Sequence, residues 1–285
     1  MKNKNLHIDF DGKEEANHFP EIDLQYAVSK EEAWENISRL IDAPHSNQVK
    51  VSLKPFYTMA IAASLLLLIG VTGFLRFYTK TVYTPAGQHL TIYLPDSSSI
   101  ELNAKSTVNY HPYWFVFSRT ITLDGEAFFK VVKGNRFKVL SQRGETTVLG
   151  TSFNIYSRNS EYSVTCFTGK VRVVSSEKSE RVLLNPNEQA FINKDGFLRL
   201  VREVNLQAAK SWTDNMFVFT GASIVTVFQE IERQYNIKIV FKADPNLTYT
   251  GNFSKLLSEK EVLDLVCTSL GLTFEVRSDT EFLVD

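Results

Sequence analysis

Few residues of this 285-residue chain are spaced for chemistry. Three of its five histidines lie within the first 45 residues, and the remaining pair, His89 and His111, has no further ligand at metal-binding spacing. Glu126 is the most suggestive acid, but the sequence places no acid or base partner for it, so we interpret it as a solvated or hydrogen-bonded strand carboxylate. Cys166 and Cys267 sit in separate apolar runs and are interpreted as core thiols. The sequence therefore predicts no catalytic residue, no cofactor site and no metal site.

The sequence motifs of common enzymes and nucleotide-binding proteins are also absent. There is no G-x-S-x-G, H-E-x-x-H, Walker or G-x-G-x-x-G sequence, and Gly169-Lys170 lacks the upstream glycine of a phosphate loop. Thirty-one basic and 32 acidic residues give a net charge of -1, without the clustered basic surface that nucleic-acid binding requires. Two cysteines exclude a disulfide-rich scaffold. We expect neither an enzyme nor a protein that binds nucleic acid directly.

One segment has the length and composition of a membrane span. Between Lys54 and Arg76 the only ionisable side chain is that of Tyr57, and a helix over these 21 residues is about 31 Å long, close to the ~30 Å of a hydrocarbon core. The segment follows 54 mostly polar residues, which does not fit a cleaved signal peptide. The other alternative, a buried core helix, rarely runs so far without a charge. We predict a transmembrane helix over residues 55–76.

The basic residues that flank this span indicate its orientation. Arg39, Lys50 and Lys54 lie near its N-terminal end, against Arg76 and Lys80 beyond its C-terminal end. By the positive-inside rule, this difference predicts a cytoplasmic N-terminus. The chain would then consist of a short cytoplasmic segment, one span and about 210 residues on the opposite side.

The cytoplasmic segment, residues 1–54, is too short to bury a core of its own. Its best element is a helix over residues 30–42, opened by a capping box of Ser29 and Glu32. We predict that an apolar stripe on this helix binds a partner protein; the alternatives are packing against apolar residues between positions 6 and 19, or lying on the membrane surface. The stripe has the spacing i, i+3, i+6 and i+7 and consists of Trp34, Ile37, Leu40 and Ile41.

Residues 81–202 alternate apolar and polar side chains in short runs separated by turn signals, which predicts an all-β domain, either a sandwich or a stacked solenoid. Asp124-Gly125 would ordinarily indicate a two-residue hairpin. That hairpin would set Arg119 opposite Lys130, an unfavourable pair of like charges. A corner between stacked strands avoids the pair, so we favour the solenoid-like option.

From residue 216 the pattern predicts an α+β domain of the order β-α-β-β-α-β. Its second helix is opened by a capping box of Ser258 and Glu261 and stopped by Gly271. The last strand ends at the C-terminus, so we expect an open edge that pairs with an extended segment of a partner. The alternatives are pairing on both sides within its own sheet, or packing on the β-domain near Trp212. The residues of this predicted binding edge are Phe282, Leu283 and Val284.

Several motifs, in order along the chain, resemble the FecR-like transmembrane anti-sigma regulators. Residues 86–192 resemble the sensor domain of that family, and residues 216–285 resemble the short N-terminal (STN) type of domain found in secretins and TonB-dependent receptors. Ser97 stands where the family usually has glycine in an Asp-Gly-Ser turn. The motifs occupy residues 94–98, 102–106, 123–131, 148–155, 169–171 and 184–190, together with Arg119.

The resemblance implies an inner-membrane protein with a single span, a cytoplasmic N-terminus and its C-terminal bulk in the periplasm. It further implies an anti-sigma factor: the cytoplasmic segment binds an extracytoplasmic-function sigma factor, and the periplasmic part receives a signal from the signalling domain of a TonB-dependent outer-membrane receptor. Family members usually have several cytoplasmic helices, whereas this sequence predicts one. The alternative function is a membrane-anchored periplasmic binding or scaffold module without sigma control; an envelope enzyme has no supporting residues.

Overall fold

The computed structural model describes residues 27–42, 54–159, 161–193 and 195–285. The chain divides into two compact units, Met1–Ile61 and Ala62–Asp285. In the first unit, helix α1 (Lys30–Ile41) begins with the predicted capping box. Ser29 Oγ accepts from the Glu32 backbone N–H at 3.2 Å, and Glu32 Oε2 accepts from the Ser29 backbone N–H at 3.4 Å. These two bonds satisfy otherwise free N–H groups at the helix start, so the predicted helix is confirmed.

The second helix, α2 (Lys54–Phe77), is the apolar segment. Over Phe56–Phe77 it is, among the described residues, the one helix that is long and apolar enough to cross a membrane. At 1.5 Å per residue its 22 residues are about 33 Å long. None of this stretch is buried within the protein. The alternative of a buried core helix is therefore wrong, and α2 is consistent with a single-pass membrane anchor.

Two sheets that share one strand follow the helix. Their orders are β1-β4-β5-β6-β7-β10-β11 and β2-β3-β5-β8-β9-β12-β13. The strands, as the structure describes them, are β1 (Lys80–Thr84), β2 (Leu90–Tyr93), β3 (Ser99–Leu102), β4 (Ser106–Tyr110), β5 (Arg119–Lys130), β6 (Phe137–Leu140), β7 (Gly144–Val148), β8 (Ser152–Arg158), β9 (Glu161–Thr168), β10 (Val171–Ser175), β11 (Arg181–Leu184), β12 (Gln189–Ile192) and β13 (Leu198–Val201).

Strand β5 passes from one sheet to the other at Asp124-Gly125. Its first half pairs with β4 and β6, and its second half pairs with β3 and β8. Gly125 has φ 113°, and a Cβ added there would lie 2.7 Å from Ser106 Cα, so this crossing requires glycine. The predicted corner is thus confirmed in place of a hairpin, and Arg119 and Lys130 lie at the two ends of one strand.

The solenoid-like option is nevertheless wrong. Of the strand pairs in these two sheets, as far as the structure describes them, β5–β6 alone is parallel, whereas a solenoid stacks parallel strands. The two sheets enclose a single apolar core, with Phe129 and Phe153 stacked at 4.8 Å between ring centroids. Cys166 lies in this core, as predicted. The corner at Gly125 therefore joins the two layers of a β-sandwich.

The C-terminal lobe, residues 216–284, has seven elements in the order β-α-β-β-α-β-β, one strand more than the predicted unit. A short turn divides its last stretch into two strands. Its core is separate from that of the sandwich and includes Cys267. It is preceded by α3 (Leu206–Lys210) and a single 3₁₀ turn (Ser211–Asp214), and its elements are β14 (Met216–Ser223), α4 (Ile224–Tyr235), β15 (Lys238–Phe241), β16 (Thr248–Ser254), α5 (Glu259–Leu270), β17 (Phe274–Ser278) and β18 (Glu281–Val284).

The open edge expected at the last strand is wrong. β18 pairs in parallel with β15 and antiparallel with β17, so it is the central strand of a three-stranded sheet. Phe282, Leu283 and Val284 are buried as a consequence. The edges of this sheet are β15 and β17, while β14 and β16 form a separate pair. The prediction that residues 282–284 bind a partner assumed an exposed strand edge, and β18 has no such edge.

Candidate functional site

A buried polar network joins the β-sandwich to the C-terminal lobe within the second unit. On the lobe side, the network uses one face of α4, whose opposite face carries the apolar residues of the lobe core. The polar residues are spaced i, i+3 and i+4, which places them on one side of the helix. The inter-lobe network consists of Asn103, Glu126, Asn154 and Arg158 from the sandwich and Glu230, Arg233 and Gln234 from α4.

Gln234 makes two of the hydrogen bonds that join the two lobes. Its Nε2 donates to Asn103 Oδ1 at 2.6 Å and, within the lobe, to Glu230 Oε1 at 2.8 Å. Its Oε1 accepts from Nε2 of His89 at 3.1 Å. Burial, and then the charge of Lys255, lower the pKa of His89, which keeps this imidazole neutral. The Gln234 amide is 2 % exposed, so these bonds are made away from water.

Glu126 lies beside the β5 crossing, and both of its carboxylate oxygens are bonded. Oε1 accepts from Nδ2 of Asn154 and Oε2 accepts from Nδ2 of Asn103, each at 2.8 Å. Burial, and then the charge of Glu230, raise the pKa of Glu126 above its ordinary value. Of the two interpretations of Glu126, a solvated or a hydrogen-bonded strand carboxylate, the second is confirmed, because the residue is buried.

The charge of Glu230 is compensated by Arg233 of the same helix and by Arg158 of the sandwich. Glu230 Oε2 accepts from Arg233 at 2.6 Å and 3.1 Å. Burial opposes ionisation of Glu230, but Arg233 and Arg158 outweigh it, and the pKa of Glu230 is lowered. The Arg158 guanidinium also donates to the backbone carbonyls of Ala104 and Lys105 at 2.6 Å and 2.8 Å. Two carboxyl groups thus face two guanidinium groups, an arrangement that buried charges require.

A backbone contact reinforces the network at its rim. The Gly87 N–H donates to the Arg233 carbonyl at 2.8 Å, and Lys255 Nζ donates to the Gly87 carbonyl at 2.9 Å. Gly87 has φ +75°, and a Cβ there would touch the Gln234 carbonyl at 3.4 Å. That distance is an ordinary contact, so it is the positive φ that favours glycine at this point of the loop between β1 and β2.

A cleft of about 150 Å³ opens between the two lobes beside the network, bordered by Glu126, Tyr156, Trp212, Phe219 and Glu230. Burial raises the pKa of Tyr156 to about 12, so its hydroxyl stays protonated at neutral pH. Among the described residues no group of three or more His, Cys, Asp or Glu is placed to hold a metal ion. What this arrangement supports is orientation: directional hydrogen bonds between the two lobes, each with its own core, hold the lobes in one orientation.

The predicted partner-binding stripe lies on α1, in the first unit. Trp34 is 70 % exposed, Leu40 77 %, Ile41 65 % and Ile37 48 %, so all four side chains are accessible. The apolar residues between positions 6 and 19, named as alternative contacts for the stripe, lie outside the described residues. Partner binding by this stripe remains a prediction.

The inter-lobe network was not predicted from the sequence, although a signal for it was present. Asn103, Glu126 and Asn154 each directly adjoin apolar strand residues within the motifs of the family resemblance. A polar side chain that is buried beside apolar strand residues needs a hydrogen-bond partner that is buried with it. The partner residue, Gln234, lies 131 positions from Asn103, and no local pattern connects them.

Two family models match the chain in the regions that form this site. The FecR protein model matches residues 80–172, and the FecR C-terminal model matches residues 216–283. Every residue of the inter-lobe network falls within one of these two segments. These two segments are therefore similar to the FecR protein and to the FecR C-terminal region.

Two crystal structures of a candidate anti-sigma factor from Parabacteroides distasonis ATCC 8503, at 2.50 Å and 1.65 Å resolution, are similar to this chain. Each is 27% identical with a TM-score of 0.66, and the alignments cover 73% and 72% of this chain and 98% of that chain. A search of the curated proteins found no match. Together these findings support a FecR-like anti-sigma regulator, a member of a regulatory rather than an enzymatic family.

Proposed function

We propose that this chain is a single-pass inner-membrane regulator that relays a signal from a TonB-dependent outer-membrane receptor to an extracytoplasmic-function sigma factor. In this proposal residues 1–54 are cytoplasmic, residues 55–76 span the membrane, and residues 81–202 and 216–285 are periplasmic. The FecR matches support the anti-sigma role, and α2 supports the membrane anchor. The resemblance of residues 216–285 to the STN type supports a receptor as the source of the signal, because receptor signalling domains resemble that same type.

The exposed stripe of α1 is the observation that carries sigma binding. A helix with a capped start and four large apolar side chains on one face fits the groove-binding mode, in which an amphipathic helix lays its apolar side into a partner. Trp34 is the natural anchor, because buried tryptophans dominate interface energetics. The opposite face carries Glu35 and Arg39, a fully solvated pair 4.0 Å apart.

The test is co-purification of the full chain, solubilised from membranes, with candidate sigma factors of this class. Trp34→Ala with Leu40→Ala shortens two side chains of the stripe and, at ~2 kcal/mol for the Trp34 anchor alone, should weaken sigma binding at least about 30-fold. Glu35→Ala with Arg39→Ala changes as many residues on the opposite face and should leave sigma binding intact.

In cells, the stripe variant should release sigma-dependent reporter activity without a change in membrane insertion. Equal sigma capture by both double variants would remove the stripe from the proposal. Failure of the wild-type chain to capture any such sigma factor would favour the alternative function, a membrane-anchored binding or scaffold module.

A further inference from the structure

The loop between β4 and β5, residues 111–118, carries an aromatic and apolar sequence beside the end of α2. Phe115 is fully buried in the sandwich core and anchors the loop. Val116 and Phe117 point outward and are 74 % and 75 % exposed, and Tyr113 is 56 % exposed. Large apolar side chains grouped on a surface in this way mark an interaction site.

Specific contacts fix this loop against the last turns of α2. The rings of Tyr78 and Tyr113 lie 5.4 Å apart, and the Arg76 guanidinium lies 5.2 Å from the centre of the Trp114 ring. The carbonyl of Tyr78 accepts from Nδ1 of His111 at 3.0 Å. The loop is therefore held at a fixed height along the helix.

That height coincides with the end of the apolar stretch. Trp114 borders an apolar surface cleft of about 460 Å³ together with α2 residues from Leu68 to Phe77, which belong to the candidate span. Tyrosine and tryptophan are enriched where a span leaves the hydrocarbon core, and an arginine there keeps its charge in the headgroup layer. Basic side chains of Arg136 and Lys138 line a second cleft with Val116 and Phe117.

We propose that Val116 and Phe117 insert into the interfacial layer of the bilayer that α2 crosses, so that the β-sandwich is docked on the lipid surface. The occupant of the patch is lipid, because the patch continues the apolar surface of α2 at the level where that helix leaves the membrane. This inference rests on α2 as a membrane span and is independent of the sigma factor and of the receptor. A docked sandwich has a defined orientation, whereas a tethered one does not.

The test places a nitroxide on the full chain in phosphatidylcholine nanodiscs and compares its collisions with oxygen, which dissolves in lipid, and with a nickel chelate, which stays in water. Cys166 and Cys267 are buried and burial raises the pKa of both thiols to about 11, so an introduced surface cysteine is labelled selectively. The label is placed at Val116→Cys, with Phe117→Cys as a second position should the first variant fail to fold.

Two control positions make the result specific. Ser176 is exposed and lies at the end of the sheet opposite to the loop, so Ser176→Cys is the control for a position in water. Ser175 pairs with Gly144 at one end of β7, whereas Val148, at the other end of β7, pairs with Phe137 beside the loop. Leu67→Cys, in the middle of α2, reports on the span itself.

The expected oxygen-to-nickel collision ratio is lipid-like at 67, several-fold higher at 116 than at 176, and water-like at 176. A lipid-like ratio at 67 with a water-like ratio at 116 overturns lipid docking and leaves the anchor intact; the patch would then face a protein partner or solvent. A water-like ratio at 67 overturns the span and the docking together.

Discussion

Replacing Gln234 by alanine should loosen the contact between the two lobes while leaving each lobe folded. Alanine has the highest helix propensity, so α4 itself is not weakened. The change removes the bonds to Asn103 Oδ1 and His89 Nε2, which cross between the lobes, and the bond to Glu230, which does not. The variant therefore acts mainly on how often the lobes separate.

The magnitude follows from the two bonds that cross. Each contributes about 1 kcal/mol net, and a buried polar group left without its partner adds ~1–3 kcal/mol. Asn103 Oδ1 keeps the Ala104 N–H as a donor at 2.7 Å, whereas His89 Nε2 loses the bond to Gln234. The two lost bonds and the one orphaned group together amount to about 3–5 kcal/mol, which corresponds to an increase of about 140- to 3,700-fold in the equilibrium constant for opening.

Hydrogen exchange measured by mass spectrometry on the full chain in nanodiscs reads this opening directly. The amide of Gly87 donates across the contact to Arg233, so exchange of the 85–90 segment should accelerate by that factor. Gln229→Ala is the matched control, because its side chain accepts one exposed bond from Asn159 at 2.9 Å and its loss should change exchange about threefold at most. Equal acceleration in both variants, unchanged exchange in Gln234→Ala, or acceleration throughout β5 would refute the reasoning.

Two further predictions concern the charge of the network and the edge of the lobe sheet. Because the folded-state pKa of Glu126 lies above its ordinary value of 4.5, its contribution to stability is present below that pH and lost as pH rises through the raised pKa. Glu126→Gln should therefore gain thermal stability relative to the wild type as pH rises above 4.5, and a difference that stays constant with pH would contradict this cause. If the receptor domain pairs with an edge strand, β17 is the candidate: Thr273 and Asp285 exchange both backbone hydrogen bonds, so the N–H of Val276 points away from β18. Val276→Pro should then abolish receptor-domain binding with circular dichroism unchanged, and retained binding would place the receptor elsewhere.

The parts of the fold that could be predicted from the sequence are those fixed by neighbouring residues. Both capping boxes, Ser29 with Glu32 and Ser258 with Glu261, act over three positions and were correct. The apolar run of α2 likewise carries its own signal. The pairing of β18 with β15 could not be predicted, because β15 lies some 40 residues earlier in the chain and no local pattern specifies that pairing.

The candidate site divides in the same way. Asn103, Glu126 and Asn154 were visible as polar residues next to apolar ones. Asn103 directly follows β3, Glu126 lies on β5 and Asn154 lies on β8, so the three meet only after the sheet has formed. A corner at Gly125 was predictable from an unfavourable charge pair, yet the choice between sandwich and solenoid depended on which strands each half of β5 joins. The meeting of the polar residues and the choice of a sandwich both depend on pairing between strands that are far apart in the sequence.

The composition of the lobe contact suits a regulator that must change state. Each lobe has an apolar core of its own, so separating the lobes leaves both cores intact. The contact is built from compensated buried charges and hydrogen bonds, whose attraction is largely offset by desolvation, so it fixes orientation at a modest net free energy. A binding partner that supplies a few kcal/mol of differential affinity is then enough to shift the orientation. If the sandwich is docked on the lipid surface, we expect the C-terminal lobe to be the part that moves when a partner binds, and the inter-lobe network to be the contact that changes.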